Sequence, residues 1–148
     1  MFSKRMDNRG QISAEYLLLM VIIILILSSV TIPLASKSID SSNDVSQASD
    51  AKVYVTGLAD AVNAVYANGP GSKRVVNVYL PQDNMVFARG GTTLNLTVKL
   101  SDGTTKLITA NTEYPVYSYT YTLPKKWYKY YVIWKPGENA ITITTNPV

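Results

Sequence analysis

At 148 residues the chain has room for one domain and an appendage, and it contains neither Cys nor His; disulfides, thiolate chemistry, Cys/His metal centres and imidazole acid–base catalysis are thereby excluded. Its net charge of +4 is too small an excess to argue for nucleic acid. Hydrophobic residues make up 47% of the chain while the mean hydropathy is only +0.05, so the apolar residues must be concentrated rather than spread.

Residues 1–10, MFSKRMDNRG, are short, basic and end in glycine. Lys4, Arg5 and Arg9 against Asp7 give this segment half of the +4 net charge. From Tyr16 to Leu27 every residue is apolar or aromatic, and the run continues to Leu34 with only Ser28, Ser29 and Thr31 as polar interruptions. As a helix from Ile12 to Pro33 this run is roughly 30 Å long, about one hydrocarbon core. The basic flank predicts that its N-terminal end is cytoplasmic and that the rest of the chain lies outside. Pro33 is expected to kink or interrupt the helix rather than end helical structure.

Residues 36–71 read differently. Ala48, Ala51, Val55, Leu58, Val62 and Val65 recur at steps of three and four, one apolar stripe on an amphipathic helix, with Asp40, Asp44, Asp50, Lys52 and Asp60 on its other faces. Ser36–Ser49 is serine-rich, a candidate flexible stretch. Asn68-Gly69-Pro70-Gly71 supplies a stop signal. From residue 72 the period changes to two. Lys73–Leu80 and Met85–Arg89 read as strands; Leu94–Leu100 and Lys106–Thr109 read as a hairpin turning at Ser101-Asp102-Gly103. Val116–Thr122, Trp127–Trp134 and Ala140–Thr145 are three further strands, the last two flanking a turn at Pro136-Gly137. The fold class is therefore α+β: a long hydrophobic helix (11–35), continued by an amphipathic helix (36–71) that packs against an antiparallel β-sheet head (72–148). With 11 Tyr against 2 Phe, the strands suit a sheet that meets water or a neighbouring subunit on one face.

The most informative stretch is Arg9-Gly10-Gln11-Ile12-Ser13-Ala14-Glu15-Tyr16-Leu17-Leu18-Leu19. It resembles the class III signal peptide of archaeal type IV pilin-like proteins, whose pattern is Q-x-S-x-E-x-x-x-L after a basic, glycine-terminated leader. Gln11, Ser13, Glu15 and Leu19 all match. The resemblance implies cleavage between Gly10 and Gln11 by a membrane-embedded prepilin peptidase, with the hydrophobic helix retained. It also implies that Glu15 pairs with the new α-amino group of Gln11 on an adjacent subunit. A carboxylate within an apolar helix costs about 2–3 kcal/mol even on lenient insertion scales, so it needs such a partner; the bland alternative is that Glu15 snorkels to the interface.

Other features are weighed against ordinary roles. Asn95-Leu96-Thr97 is the sole N-x-T sequon, and the alternation of Leu94, Leu96, Val98 and Leu100 puts Asn95 and Thr97 outward together, a candidate glycosylation site. The aromatic strands at Tyr114–Tyr121 and Trp127–Trp134 are read as cross-strand packing in preference to an adhesive surface. Lys125, Lys126, Lys129 and Lys135 are read as solvated, edge-protecting charges rather than a nucleic-acid platform. Asp40, Asp44 and Asp50 lack the glycine and terminal Glu of a calcium loop, and no catalytic motif is present. No catalytic, metal or cofactor role is expected.

The expected function is that of a non-enzymatic structural subunit of a surface filament, used for adhesion or other surface attachment. Its expected partners are copies of itself, other pilins, the prepilin peptidase, a membrane assembly platform and, before assembly, the membrane. The rivals are a minor or tip pilin with a ligand-binding head, a membrane anchor that never polymerises, an archaellum subunit, and last a secreted protein cut after Ala35.

Overall fold

The apolar run and the amphipathic stripe fold as one helix, α1 (Asn8–Asn68), followed by β1 (Lys73–Tyr79), β2 (Met85–Lys99), β3 (Thr105–Leu123), β4 (Trp127–Ile133) and β5 (Thr142–Thr144). The structure is a computed structural model that describes residues 8–145, with side chains from residue 12. The leader expected at 1–10 falls mostly outside the described residues. The chain divides into two compact units, the first ending at Ser41 and the second beginning at Ser42.

The first unit is the N-terminal part of α1. Pro33 lies inside the helix, which continues on both sides of it, although an interior proline removes one backbone donor and its ring crowds the preceding turn. Ser29 and Thr31 return their hydroxyls to the carbonyls of Ile26 (2.7 Å) and Leu27 (2.8 Å), so neither needs an outside partner. The serine-rich stretch is helical throughout.

The second unit is built on the remaining part of α1. Ala51, Val55, Leu58, Val62 and Val65 are buried, as the stripe predicts, and Tyr54, Ala59 and Ala61 join them. The helix stops at Gly69, whose φ of 85° is left-handed; only a residue without Cβ adopts this freely. Ser72 Oγ then lies 2.7 Å from the carbonyl oxygens of both Val65 and Gly69, its single proton donating to one or the other.

The head's strands are antiparallel, as expected, and form two sheets, in the orders β1–β4–β5 and β2–β3. A parallel bridge between Val116 and Ile141 joins them, with Ile141 N donating to Pro115 O at 2.8 Å. Two pairs of short strands in the sequence reading are continuous here: Met85–Arg89 with Leu94–Leu100 as β2, and Lys106–Thr109 with Val116–Thr122 as β3. The reason is a bulge. Register shifts flank Gly91, and the buried face of β2 changes from Met85, Phe87 and Arg89 to Leu94, Leu96 and Val98. An inserted residue reverses which parity faces the core, and this reads in sequence as a break.

Helix and strands share one buried cluster that includes Tyr54, Leu58, Leu80, Phe87, Leu96, Tyr130 and Ile143. Hydrogen bonds link its rim. Asp44 accepts from Ser101 N (2.9 Å) and Ser101 Oγ (2.7 Å), Asn63 Oδ1 from Glu113 N (2.8 Å), and Thr109 O from Lys52 Nζ (3.2 Å). Gln82 holds both backbone groups of Lys99 and also contacts Gln47. Leu58→Ala or Leu96→Ala should each destabilise the head by about 2–5 kcal/mol, whereas Leu25→Ala, on the exposed part of α1, should change it by less than about 0.5 kcal/mol. Denaturant unfolding of the full chain in detergent micelles, followed by Trp fluorescence, measures the difference.

Candidate functional site

Two regions of the chain carry surface that this fold does not use internally. The first is the helix itself. Every large apolar side chain from Ile12 to Leu34 is exposed, and this part of α1 is long and apolar enough to cross a membrane with none of it buried. Such a surface in contact with water is unfavourable by about 25 cal/mol per Å². It requires lipid or other helices.

The sequence motif lies at the start of this surface. Gly10 and Gln11 belong to α1 by backbone, and their side chains lie outside the described ones. Ser13, Glu15 and Leu19 are exposed. Glu15 and Leu19, four residues apart, share a face, with Ser13 on another. Among the described residues no cation pairs with Glu15. Among the described residues the carboxylate at the start of the apolar run thus lacks the partner that such a position demands.

The second region is on the head. Arg89 continues the inward-facing alternation of Met85 and Phe87, just before the bulge at Gly91, and lies opposite Tyr119 in register. Gly90 makes the close approach possible, because a Cβ there would sit 2.7 Å from Ser118 Oγ. The Arg89 guanidinium lies 5.9 and 5.8 Å from the ring centroids of Tyr119 and Tyr121. Its Nε and Nη1 are buried and have no hydrogen-bond partner among the described residues. Burial pulls the Arg89 pKa down, and the surrounding tyrosines oppose that shift. Cation–π contact contributes about 0.5–2 kcal/mol, yet it leaves in-plane donors unpaired at about 1–3 kcal/mol or more for the group. Arg89 borders a cleft of about 640 Å³ whose walls include Tyr117, Tyr121, Tyr128, Thr142 and Thr145. Sequence reasoning missed it. The usable signal was the lone Arg closing the period-two series Met85, Phe87, Arg89.

Behind this cleft the Tyr54 and Tyr130 hydroxyls share a 2.6 Å hydrogen bond, and Phe87 packs edge-on to Tyr54. Of these aromatic residues Tyr128 and Tyr130 are packed, while Tyr117, Tyr119 and Trp127 are exposed. Lys125, Lys126, Lys129 and Lys135 are all exposed, with Lys126 over Tyr128 and Lys129 over Tyr131. Asn95 is half-buried in the middle of β2, and its Oδ1 accepts from Thr109 Oγ1 at 2.8 Å.

Residues 8–34 match the family model described as class III signal peptide. The chain thus carries the signal of a type IV pilin-like precursor, and the match ends before the head begins. No curated protein matches the chain, and neither does any solved structure.

Burial raises the Tyr130 pKa from 10.0 to about 12, the Tyr54 hydrogen bond opposing the shift, and burial pushes Tyr54 up as well. An unfolded tyrosine ionises first, so the stability held by these neutral hydroxyls is present below pH 10 and is lost as the pH rises through about 12. Tyr130 alone should account for on the order of 2–3 kcal/mol of that loss. Unfolding midpoints between pH 9 and 12 measure it: Tyr130→Phe should start lower at pH 9, its partner hydroxyl being unpaired, and fall less steeply.

Proposed function

We propose that this chain is a structural, non-enzymatic subunit of a type IV pilus-like surface filament of the archaeal kind. The observation that carries the reading is the class III signal peptide match over residues 8–34, which falls on the part of α1 whose large apolar side chains are all exposed. In this reading a prepilin peptidase cuts between Gly10 and Gln11 and removes the basic leader, including Arg9. The precursor is membrane-anchored with its N-terminus cytoplasmic. An assembly platform then withdraws the helix into a filament, where copies cover each other's apolar surface and the heads face the environment. Glu15 finds its partner there, in the amine of Gln11 on a neighbouring copy. The filament serves adhesion, and other pilins are partners in it.

A second reading is supported by the head cleft at Arg89: a minor or tip pilin whose head binds a ligand. Stoichiometry in purified filaments separates the two, since a major subunit is abundant along the shaft and a tip subunit is present in a few copies.

Peptide mass spectrometry of the N-terminus from a cell-surface fraction tests the processing step. A start at Gln11 with the helix retained is expected. A start at Met1 or Met6 would instead make the chain a simple membrane anchor, and a start at Ser36 a soluble secreted domain. Glu15→Val should leave the cut in place and lower pelletable filament protein by roughly tenfold or more, the charge pair being worth over 1.4 kcal/mol. Normal filament yield from that variant would remove Glu15 from assembly.

Asn95 is proposed as an N-glycosylation site on the external head. The Thr109 contact orients its amide on the face that Thr97 shares. Glycopeptide mass spectrometry should find a glycan mass on Asn95 that disappears in Asn95→Gln, and a fully unmodified peptide from the mature protein would eliminate the site.

A further inference from the structure

We infer that the outer face of the β1–β4 pair docks on the outward stripe of α1 in the head of a second copy, with Lys129 facing Asp60. The two surfaces belong to one chain and are opposite in charge. Alternate residues of an antiparallel pair point to opposite faces, and Val78, Tyr128, Tyr130 and Val132 are buried against the core. The other set therefore faces outward, as the register pairs Val75↔Tyr131, Asn77↔Lys129 and Tyr79↔Trp127. Trp127 is 69% exposed and Val75 44%. Lys129 stands at the middle of this face, with its Nζ 5.7 Å from the Tyr131 ring centroid. Strands β1, β4 and β5 carry Lys73, Arg74 and Lys129 and no acidic residue.

The helix presents the complement. Asp50, Val53 and Asp60 are exposed, on the side of α1 turned away from buried Val55, Leu58 and Val62. Neither carboxylate has a hydrogen-bond or ion-pair partner among the described residues. Lys52 is the only cation between Asp50 and Asn68, and it turns to the Thr109 carbonyl. The stripe is thus an acidic flank around Val53, itself 66% exposed. Each surface has an apolar centre with charge of one sign beside it, the usual anatomy of an interface between proteins. Two basic faces repel one another, so the sheet is steered to the helix stripe of the next copy rather than to its own like. Because the sheet meets the core through its inner face, its outer face and the helix stripe point in opposite directions. A contact between two different, opposed patches is head-to-tail and extends into an open array unless its rotation closes a ring. The inference rests on the filament reading and gives the heads a contact of their own within it.

The chain has no cysteine, so introduced thiols report the contact. Filaments sheared from cells producing the full chain are treated with a short bis-maleimide and run on denaturing gels. The variant carrying both Val53→Cys and Val75→Cys should give a ladder of dimers, trimers and higher multimers, while each substitution alone should leave monomer. Both positions are exposed, so neither change threatens the fold. Asp60→Lys should lower pelletable filament protein by roughly tenfold or more with an unchanged unfolding midpoint. Adding Lys129→Glu to it should bring the yield back to within about threefold of the wild type, since a restored pair shows as coupling between the two changes. Wild-type filaments with no ladder, dimers from either single thiol, a crosslink from Val75→Cys to some other protein, or full yield from Asp60→Lys would each overturn the pairing and leave the filament reading standing. Loss of yield in Asp60→Lys that Lys129→Glu does not relieve would overturn it equally. Absence of filaments from the wild type would instead remove the filament reading and this contact together.

Discussion

Everything in this fold depends on α1 having two different surfaces along one backbone. From Tyr16 to Leu34 the helix is apolar on nearly all sides, and from Ala48 it is apolar on one stripe. The stripe supplies the head's core, with Tyr54, Val55, Leu58 and Val62 fully buried. The strands need it. A two-stranded ribbon such as β2–β3 is marginal in water by itself, and three strands gain independent stability mainly by packing a hydrophobic face on something else. The bridge between Val116 and Ile141 brings the two sheets together, and the helix gives both a common surface to cover.

A domain without cysteine has to hold its edges by other means. Here the means are neutral or singly charged hydrogen bonds between helix side chains and strand backbone. Asp44 on Ser101 joins the helix to the β2–β3 turn, and Asn63 on Glu113 and Lys52 on Thr109 join it to β3, each across at least fifty residues of sequence. Exposed ion pairs contribute little, and the one between Lys135 and Glu138 is a local contact. Backbone acceptors and donors at the sheet rim would otherwise compete for water. Tying them to the helix fixes register as well as energy, because a slip of one residue would put the wrong group opposite Asp44 or Asn63.

The sequence was most legible where structure is local. The stripe from Ala48 to Val65, the stop at Gly69, the turn at Asp102-Gly103 and the class III pattern around Gln11 are each encoded within a few residues. The pairing of β1 with β4 is not: Lys73 meets Ile133 and Tyr79 meets Trp127 across the whole head. The two long strands were hidden by the bulge at Gly91, since a phase reversal and a strand break look alike in a one-dimensional pattern. Arg89 was hidden for a different reason. Its side chain faces inward only because the alternation of Met85 and Phe87 continues to it, and a charged residue at the end of such a series is easily read as the solvent-facing start of a turn.

The exposed helix raises a different question, because apolar surface alone does not choose between lipid and other helices. Both remove it from water at similar gain. A uniformly apolar segment would therefore stay where it was first inserted. The group that tells the two environments apart is Glu15. In hydrocarbon its carboxylate costs several kcal/mol unless it reaches the interface, while beside a cation in a bundle of copies most of that cost is removed. The proposed cut at Gly10 creates such a cation, a free amine, four residues from Glu15 in sequence. Removal of Lys4, Arg5 and Arg9 acts in the same direction, by releasing the charges that hold that end of the helix at the membrane surface. A single proteolytic event thus alters both sides of the balance, and the remaining helix needs no change of structure to move from one solvent to the other.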